Sequence, residues 1–155
     1  MKPERPQFTP GYGITSDAAG TIAWNDTSGK LAASRNYWVA TADPDGNPHS
    51  TPVWGVWHDD RLYFSTDPAS TKGKNIAHKP RAVIHLESGD DVVILHCELS
   101  TTTEPETLET VFRTYRDKYS MPDDFVFDPV MCGMPYRGFA WLESDFPNTA
   151  TRYVR

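Results

Sequence analysis

The sequence has no apolar run long enough to cross a membrane and no excess of basic residues. Its 155 residues carry a formal net charge of -6, and 38% of them are hydrophobic and 23% charged. A bilayer core requires about 20 consecutive apolar residues, so we expect no membrane partner. A general nucleic-acid binder requires a basic surface, so we expect no nucleic-acid partner. These absences, with an N-terminus that lacks the features of a secretory signal, predict a soluble cytoplasmic protein.

Cysteines and the short motifs of well-known catalytic sites are equally scarce. Cys97 and Cys132 form no CxxC pair and no zinc spacing, so we expect two free thiols in a reducing compartment. The histidines show no paired metal spacing, and we predict no metal site. The chain also has no P-loop, no GxSxG and no GxGxxG motif. The sequence therefore identifies no catalytic residue by motif.

What the sequence does contain is a succession of short aromatic and β-branched runs separated by turn residues. Residues 1–21 are rich in proline and glycine and predict an extended arm, followed by one domain at residues 22–155. Helices are predicted to begin near Asn25, at Ser70 and at Glu104. Short strands in hairpin succession, without βαβ alternation, favour a mainly β fold: a closed or partly closed barrel with flanking helices. The predicted strands are residues 37–41, 49–58, 61–66, 81–86, 92–99, 138–143 and 149–154.

The run from Phe64 to Asn75 is the most informative candidate binding segment. A helix that begins after Ser70 presents unpaired backbone N–H groups, and Lys72 adds a full positive charge beside them. The hydroxyls of Ser65 and Thr66 lie shortly before this helix and add further donors. Together these groups predict an anion site suited to phosphate. The alternative is that Ser70 only caps a helix and that the lysines are solvated.

The strand at residues 49–57 is the second candidate segment. Pro52 lacks an N–H, so the strand should be irregular or lie at an edge there, and Gly55 allows close approach of another group. A flat heterocycle needs backbone partners at its edge and an apolar wall, and this strand offers both. The alternative is a core strand with Trp54 or Trp57 packed inward.

Taken together, the segments YWVAT, DGNPHSTPVWGVW, LYFST, STKGKN, VIHLESGDDVVI and TRY resemble the pyridoxamine-phosphate-oxidase-like family, in particular its flavin and deazaflavin (F420) oxidoreductase branch. The resemblance extends from about Gly11 to the C-terminus. It implies a split β-barrel homodimer with two equivalent cofactor sites between the subunits. The residues that it places at the cofactor are Thr51, Pro52, Val53, Trp54, Ser65, Thr66, Ser70, Lys72, Asn75 and Arg152.

The chain departs from the family pattern at several positions. Gly73 stands where a better helix former is usual, Cys97 stands near a usual glycine, and Tyr153 replaces the commoner tryptophan. The strand also lacks the arginine and lysine pair of true pyridoxamine-phosphate oxidases. We therefore do not expect that particular activity.

Two cofactors are compatible with this resemblance. FMN and F420 share a tricyclic ring and a phosphate, and F420 adds a long acidic tail that a basic channel would follow. We expect an F420-dependent oxidoreductase that reduces a small organic acceptor. The alternatives are an FMN-dependent oxidoreductase of the same fold and a non-catalytic carrier of a flavin or deazaflavin. The predicted channel residues are Lys72, Lys74, His78, Lys79 and Arg81, and the candidate proton donors are Tyr12, His49 and Tyr136.

Overall fold

The computed structural model describes all 155 residues and contains eight β-strands and four α-helices. None of the helices is long and apolar enough to cross a membrane. The strands are β1 (Lys2–Glu4), β2 (Asn36–Ala42), β3 (Pro48–His58), β4 (Arg61–Ser65), β5 (Arg81–His85), β6 (Asp91–Thr101), β7 (Val130–Leu142) and β8 (Thr151–Val154). The helices are α1 (Trp24–Ala33), α2 (Thr71–His78), α3 (Pro105–Tyr119) and α4 (Phe146–Thr149), with a 3-10 turn at Glu143–Asp145.

Six strands close into an antiparallel barrel. They follow one another in the order β7-β4-β3-β2-β5-β6, and β6 pairs with β7 to complete the circle. Strand β8 pairs with β7 on the same edge as β4, and β1 pairs with β8. Closure leaves the six barrel strands with partners on both sides over much of their length, so only short stretches of edge stay exposed. The predicted mainly β fold, a barrel with flanking helices, is confirmed.

The tight turns and two of the helix starts lie where the local sequence predicted them. Asp59 and Asp60 both have positive φ, 48° and 56°, as a two-residue hairpin turn between β3 and β4 requires. Gly46 has a φ of 87° in the turn between β2 and β3. Ser70 and Glu104 cap α2 and α3, and each accepts a backbone N–H three residues on. These features depend on neighbours in sequence, so the sequence alone determined them.

Strand β7 is much longer than predicted. It begins at Val130, whereas the sequence predicted a loop of proline and aspartate residues before a strand that starts at residue 138. Gly133 and Pro135, which are unfavourable in strands, both lie within β7. The pairing explains the difference. On one edge, β4 pairs with β7 as far as Gly133 and β8 pairs with it from Arg137 onward. Pro135 therefore lies in a gap between two partner strands, next to a register shift against β6, where its missing N–H is tolerated.

Helix α1 begins at Trp24, earlier than the predicted cap at Asn25. Ala23 occupies the N-cap position and makes no side-chain capping bond. Thr27, which the sequence grouped with the cap, is buried, and its hydroxyl lies 2.7 Å from the hydroxyl of Tyr153. The Trp24 ring packs edge-on against the Tyr153 ring, with 5.0 Å between centroids. Tertiary packing against β8 therefore decided where this helix begins.

The N-terminal arm is tied to the barrel at its first residues. Lys2–Glu4 adds β1 to the edge of β8. The side chain of Arg5 then donates hydrogen bonds to backbone oxygens of Asp17, Ala19 and Ala150. The arm thus contains a short paired strand, and Arg5 fixes the path of the loop that follows it.

Two apolar clusters stabilise the fold. The larger fills the barrel and includes Leu62, Phe64 and Leu95, all fully buried. The smaller lies between α3 and the outside of β3, β4 and β7, and it includes Val111 and Tyr115 from the predicted apolar face of α3. Cys97 and Cys132 are both free thiols in the structure, in line with the prediction. Both are buried, and burial raises the pKa of each.

Candidate functional site

A cleft of about 540 Å³ opens where β3 separates from β4, and we call it the β3–α2 cleft. Strand β4 pairs with β3 only from Gly55 to His58, so the edge of β3 before Gly55 has no partner there. Pro52 lies on this unpaired stretch, as its missing N–H predicted. The residues that line the cleft are His49, Thr51, Pro52, Val53, Trp54, Ser65, Thr66, Asp67, Ser70, Thr71, Lys72 and Tyr115. Most of the residues that the family resemblance implied are therefore brought together in one place.

The start of α2 forms the polar end of the cleft. The Ser70 hydroxyl accepts the N–H of Gly73 at 3.0 Å and donates to the backbone oxygen of Asp67 at 2.6 Å. This hydroxyl is therefore committed to the cap and is not free to donate to a ligand. The backbone N–H groups of Thr71 and Lys72 have no acceptor within the protein. They lie at the N-terminal end of α2, where the helix dipole favours an anion.

Lys72 is the only lysine whose side chain lines this cleft. It is 9% exposed, and its ammonium group lies 3.3 Å from the hydroxyl of Thr51. Burial lowers its pKa. None of the four ion pairs in the structure includes it. A buried ammonium group with one hydroxyl partner and no carboxylate lacks a counter-charge, and an anion in the cleft would supply one.

Gly73 is required by close packing and not by backbone conformation. A Cβ at this position would lie 2.3 Å from the backbone oxygen of Asp67 and 2.8 Å from backbone atoms of Pro68. The glycine therefore allows the loop after β4 to pass directly over the first turn of α2. This accounts for a residue that is otherwise unfavourable inside a helix.

We expect Gly73→Ala to destabilise the protein, although alanine is the better helix former. Relieving the clash must move the loop backbone, and overpacking of this kind costs about 1 kcal/mol or more. Chemical denaturation should show a lower free energy of unfolding. Gly29→Ala in α1 is the matched control, because a Cβ there meets nothing within 4 Å and alanine should stabilise that helix. Stabilisation by both substitutions would contradict the packing role of Gly73.

The other end of the cleft is aromatic. Trp54 is 41% exposed, whereas Trp57 is 8% exposed in the barrel core, which decides between the two orientations that the sequence left open. The Trp54 ring stacks on Tyr119, with 4.5 Å between centroids and 7° between planes. The guanidinium of Arg35 lies 5.2 Å from the Trp54 ring centroid. Tyr115 of α3 lines the cleft beside them.

The sequence prediction missed the contribution of α3 to this site. Tyr115 and Tyr119 are four residues apart and share one helix face, which is a detectable pattern. That pattern indicated only core packing, and nothing in it showed which strand the face would meet. The meeting with Trp54 depends on how α3 docks on the barrel.

Two of the implied cofactor residues do not line the cleft. Asn75 is buried, and its amide donates to the hydroxyl of Thr41 at 3.1 Å, which ties α2 to β2. Arg152 lies on β8 and pairs with Glu4 at 3.4 Å. A contact of Arg152 with a cofactor bound by a partner subunit stays a prediction. Among the candidate proton donors, His49 lines the cleft.

A line of partly exposed side chains runs across the outside of the barrel, and we call it the outer row. Its members are aligned by strand pairing, one residue from each of six strands, and the rings of Trp38 and His85 stack in parallel within 3°. Nearby, Arg137 and Arg152 each keep a buried Nε that has no hydrogen-bond partner in the chain. The outer row consists of Pro52, Trp38, His85, Ile94, Phe139 and Arg152.

The predicted basic channel is divided between two clefts. Lys72 lines the β3–α2 cleft, whereas a second cleft of about 560 Å³ includes His78, Lys79 and Arg81. Helix α2 connects the two, and its eight residues span roughly 12 Å at 1.5 Å per residue. Arg81 also pairs with Glu98 at 3.2 Å. Any ligand that contacts all of these residues must therefore follow the length of α2.

Together, the fold and the cleft define a closed antiparallel barrel protein with a candidate anion site at the start of a short helix. The chain belongs to the pyridoxamine 5'-phosphate oxidase family, whose model matches residues 28–142. This confirms the resemblance drawn from the sequence. No curated protein sequence matches the chain.

Solved structures share the fold at low sequence identity. A conserved hypothetical protein from Mycobacterium tuberculosis has a TM-score of 0.66 and 23% identity, over 88% of this chain and 91% of its own. A protein described as an F420 reductase has a TM-score of 0.53 and 20% identity, over 70% and 93% of the two chains. An FMN-binding protein from Nostoc punctiforme, related to pyridoxamine 5'-phosphate oxidase, has a TM-score of 0.56 and 16% identity, over 81% and 82%. These similarities concern the fold.

Proposed function

We propose that the chain binds a flavin-type cofactor in the β3–α2 cleft and acts as an oxidoreductase on a small organic acceptor. The observation that carries this proposal is the buried ammonium group of Lys72, which has a hydroxyl partner but no counter-charge, beside the free N–H groups of Thr71 and Lys72. A desolvated cation without a counter-charge is costly, so a protein keeps one mainly where a ligand supplies the charge. A cofactor phosphate at the start of α2 meets this need.

The remainder of the cleft fits the ring of such a cofactor. Its volume of about 540 Å³ is within the usual range of small-molecule sites, about 300–1,000 Å³. The unpaired edge of β3 at residues 51–54 offers backbone groups to the heteroatoms of a flat ring. Trp54 and Tyr115 supply apolar surface at the end of the cleft away from Lys72.

In this function the cofactor supplies hydride or electron transfer when it is bound, and the protein binds and orients it. Lys72 and the first N–H groups of α2 hold the phosphate. The edge of β3 would hold the ring, and Trp54 with Tyr115 would limit the access of water to one end of the cleft. His49 lies in the cleft and is the candidate that holds or delivers a proton there.

The deazaflavin F420 is the cofactor that we propose, and FMN is the alternative. The F420 reductase and the FMN-binding protein from Nostoc punctiforme both share the fold. The charges along α2 favour F420. Lys74 is exposed on the helix, and His78 and Lys79 follow at its end, so an acidic tail that leaves the phosphate at Lys72 meets further basic groups. FMN has no tail to use them.

The proposal includes a second copy of the chain packed on the outer row. This row begins at Pro52 in the cleft and ends at Arg152, so a chain that covers it also borders the cofactor site. Its centre contains Trp38, Ile94 and Phe139, which are large apolar side chains that a single chain leaves partly exposed. A second copy would remove these side chains from water. Isologous dimers are the commonest assembly.

Titration of the apo-protein with F420 and with FMN, followed by ring fluorescence at two salt concentrations, tests the choice of cofactor. We expect tighter binding of F420, and we expect its advantage to shrink as salt rises. The reason is that exposed charge contacts along α2 are screened over about 8–10 Å at ordinary ionic strength. Tighter binding of FMN at both salt concentrations would assign the chain to FMN. Failure to bind either compound would reject the proposed function.

Steady-state turnover with quinone, enone and tetrapyrrole acceptors separates an enzyme from a carrier. Reoxidation of the reduced cofactor by one acceptor class, with multiple turnovers, supports the oxidoreductase. Tight binding without turnover on any of them favours the carrier.

A further inference from the structure

The end of α3 meets β3 at the residue where the β3–α2 cleft begins. Gly55 is the first residue of β3 that pairs with β4, and it directly follows the cleft residues 51–54. Both backbone polar groups of Gly55 contact the hydroxyl of Tyr119. The side chain of Lys118, the preceding residue of α3, reaches the same carbonyl. Two consecutive residues of one helix therefore hold one glycine of the ligand-binding strand.

The contacts of Tyr119 are short and buried. Its hydroxyl accepts the N–H of Gly55 at 2.9 Å. The hydroxyl proton lies within reach of two carbonyls, that of Arg35 at 2.6 Å and that of Gly55 at 3.0 Å. Tyr119 is 6% exposed, and the face of its ring stacks on Trp54. One side chain thus fixes both the backbone at Gly55 and the indole that lines the cleft.

Lys118 adds a charged contact to this arrangement. Its ammonium group donates to the Gly55 carbonyl at 2.9 Å and to the Tyr37 hydroxyl at 2.9 Å. None of the four ion pairs in the structure includes Lys118. Burial and the charge of Arg35 lower its pKa to about 8. The ammonium group also lies 4.8 Å from the ring centroid of Tyr37 and 5.4 Å from that of Tyr119, so Lys118 ties the end of α3 to both β2 and β3.

Gly55 itself has no space for a side chain. A Cβ would lie 2.8 Å from the backbone oxygen of Tyr63 and 3.0 Å from Leu62. The close approach of β4 on one side and the hydroxyl of Tyr119 on the other leave the backbone little freedom. Gly55 is therefore a fixed point from which residues 51–54 extend without support from β4.

We infer that Tyr119 and Lys118 are positioning residues that hold the free edge of β3 and the Trp54 ring in the geometry that binds the ligand of the β3–α2 cleft. Neither residue lines the cleft, so they act through Gly55 and Trp54. Their effect on affinity rests on the proposed function, whereas their effect on the strand does not.

Tyr119→Phe and Lys118→Met test this inference, because each removes the polar group and keeps most of the side-chain volume. Tyr63→Phe is the matched control: Tyr63 is 3% exposed in the same apolar cluster, and its hydroxyl makes no hydrogen bond with Gly55. We expect amide hydrogen exchange at the non-proline residues of 49–54 to be about tenfold faster in both test variants, the equivalent of about 1.4 kcal/mol. We expect Tyr63→Phe to leave exchange in this segment unchanged.

The same variants are then titrated with FMN and F420 at pH 7. We expect the Kd of the bound cofactor to rise about tenfold in Tyr119→Phe and in Lys118→Met. Lys118→Arg keeps the charge and the donors and should restore affinity to within about threefold of wild type. Unchanged exchange at residues 49–54 would overturn the inference whether or not a ligand binds. Unchanged Kd values despite faster exchange would also overturn it. A wild type that binds neither cofactor rejects the proposed function alone, since the exchange comparison still stands.

Discussion

Lys72→Met is expected to weaken cofactor binding by about 1.5–3 kcal/mol, which is a roughly 10- to 150-fold higher Kd. The substitution removes the charge that faces the proposed phosphate and retains a flexible stem of similar length. Without cofactor, the variant should be at least as stable as wild type, because it no longer buries an ammonium group without a counter-charge. Fluorescence titration measures the first effect, and chemical denaturation of the apo-protein measures the second.

Lys74→Met is the matched control for this experiment. Lys74 lies on the same helix two residues later, is exposed, and does not line the cleft. It should have little effect on FMN binding and a moderate, salt-dependent effect on F420 binding. Equal and negligible effects of both substitutions on both cofactors would mean that the start of α2 is only a capped helix with solvated lysines.

Ile94→Asp is expected to abolish the proposed dimer and, with it, tight cofactor binding. Ile94 lies at the centre of the outer row, between His85 and Phe139. In an isologous dimer the substitution buries two unpaired carboxylates, each at a cost of several kcal/mol. The dimer dissociation constant should therefore rise at least about 100-fold, or about 2.7 kcal/mol. Light scattering of the apo-protein across a concentration series measures this change.

Val126→Asp is the control for the added charge. Val126 is 60% exposed on the loop after α3, so the same chemical change there should leave the assembly and the cofactor affinity unaltered. A dimer that survives Ile94→Asp would exclude the outer row as the interface. A wild-type monomer that binds cofactor tightly would reject the dimer altogether.

The parts of this protein that the sequence determined are those that depend on near neighbours in the chain. The Asp59-Asp60 turn follows from residues that tolerate positive φ, and the Ser70 cap follows from a hydroxyl three residues before the N–H that it accepts. The hairpin order then indicated a barrel, since successive antiparallel strands must close or leave edges exposed. Ser65, Thr66 and Lys72 are also near one another in sequence, and for that reason they lie together at the start of α2.

Only the tertiary structure decided where β7 begins and what α3 contributes to the cleft. Strand β7 accepts Pro135 because two different strands pair on either side of it, a circumstance that no local pattern encodes. Tyr119 meets Gly55 across 64 positions of sequence, and the outer row aligns Pro52 with Arg152 through pairings around the barrel. Such contacts form only when closure of the barrel fixes the register of every strand at once. Sequence periodicity specifies which face of an element is apolar, but it does not specify which distant element will cover that face.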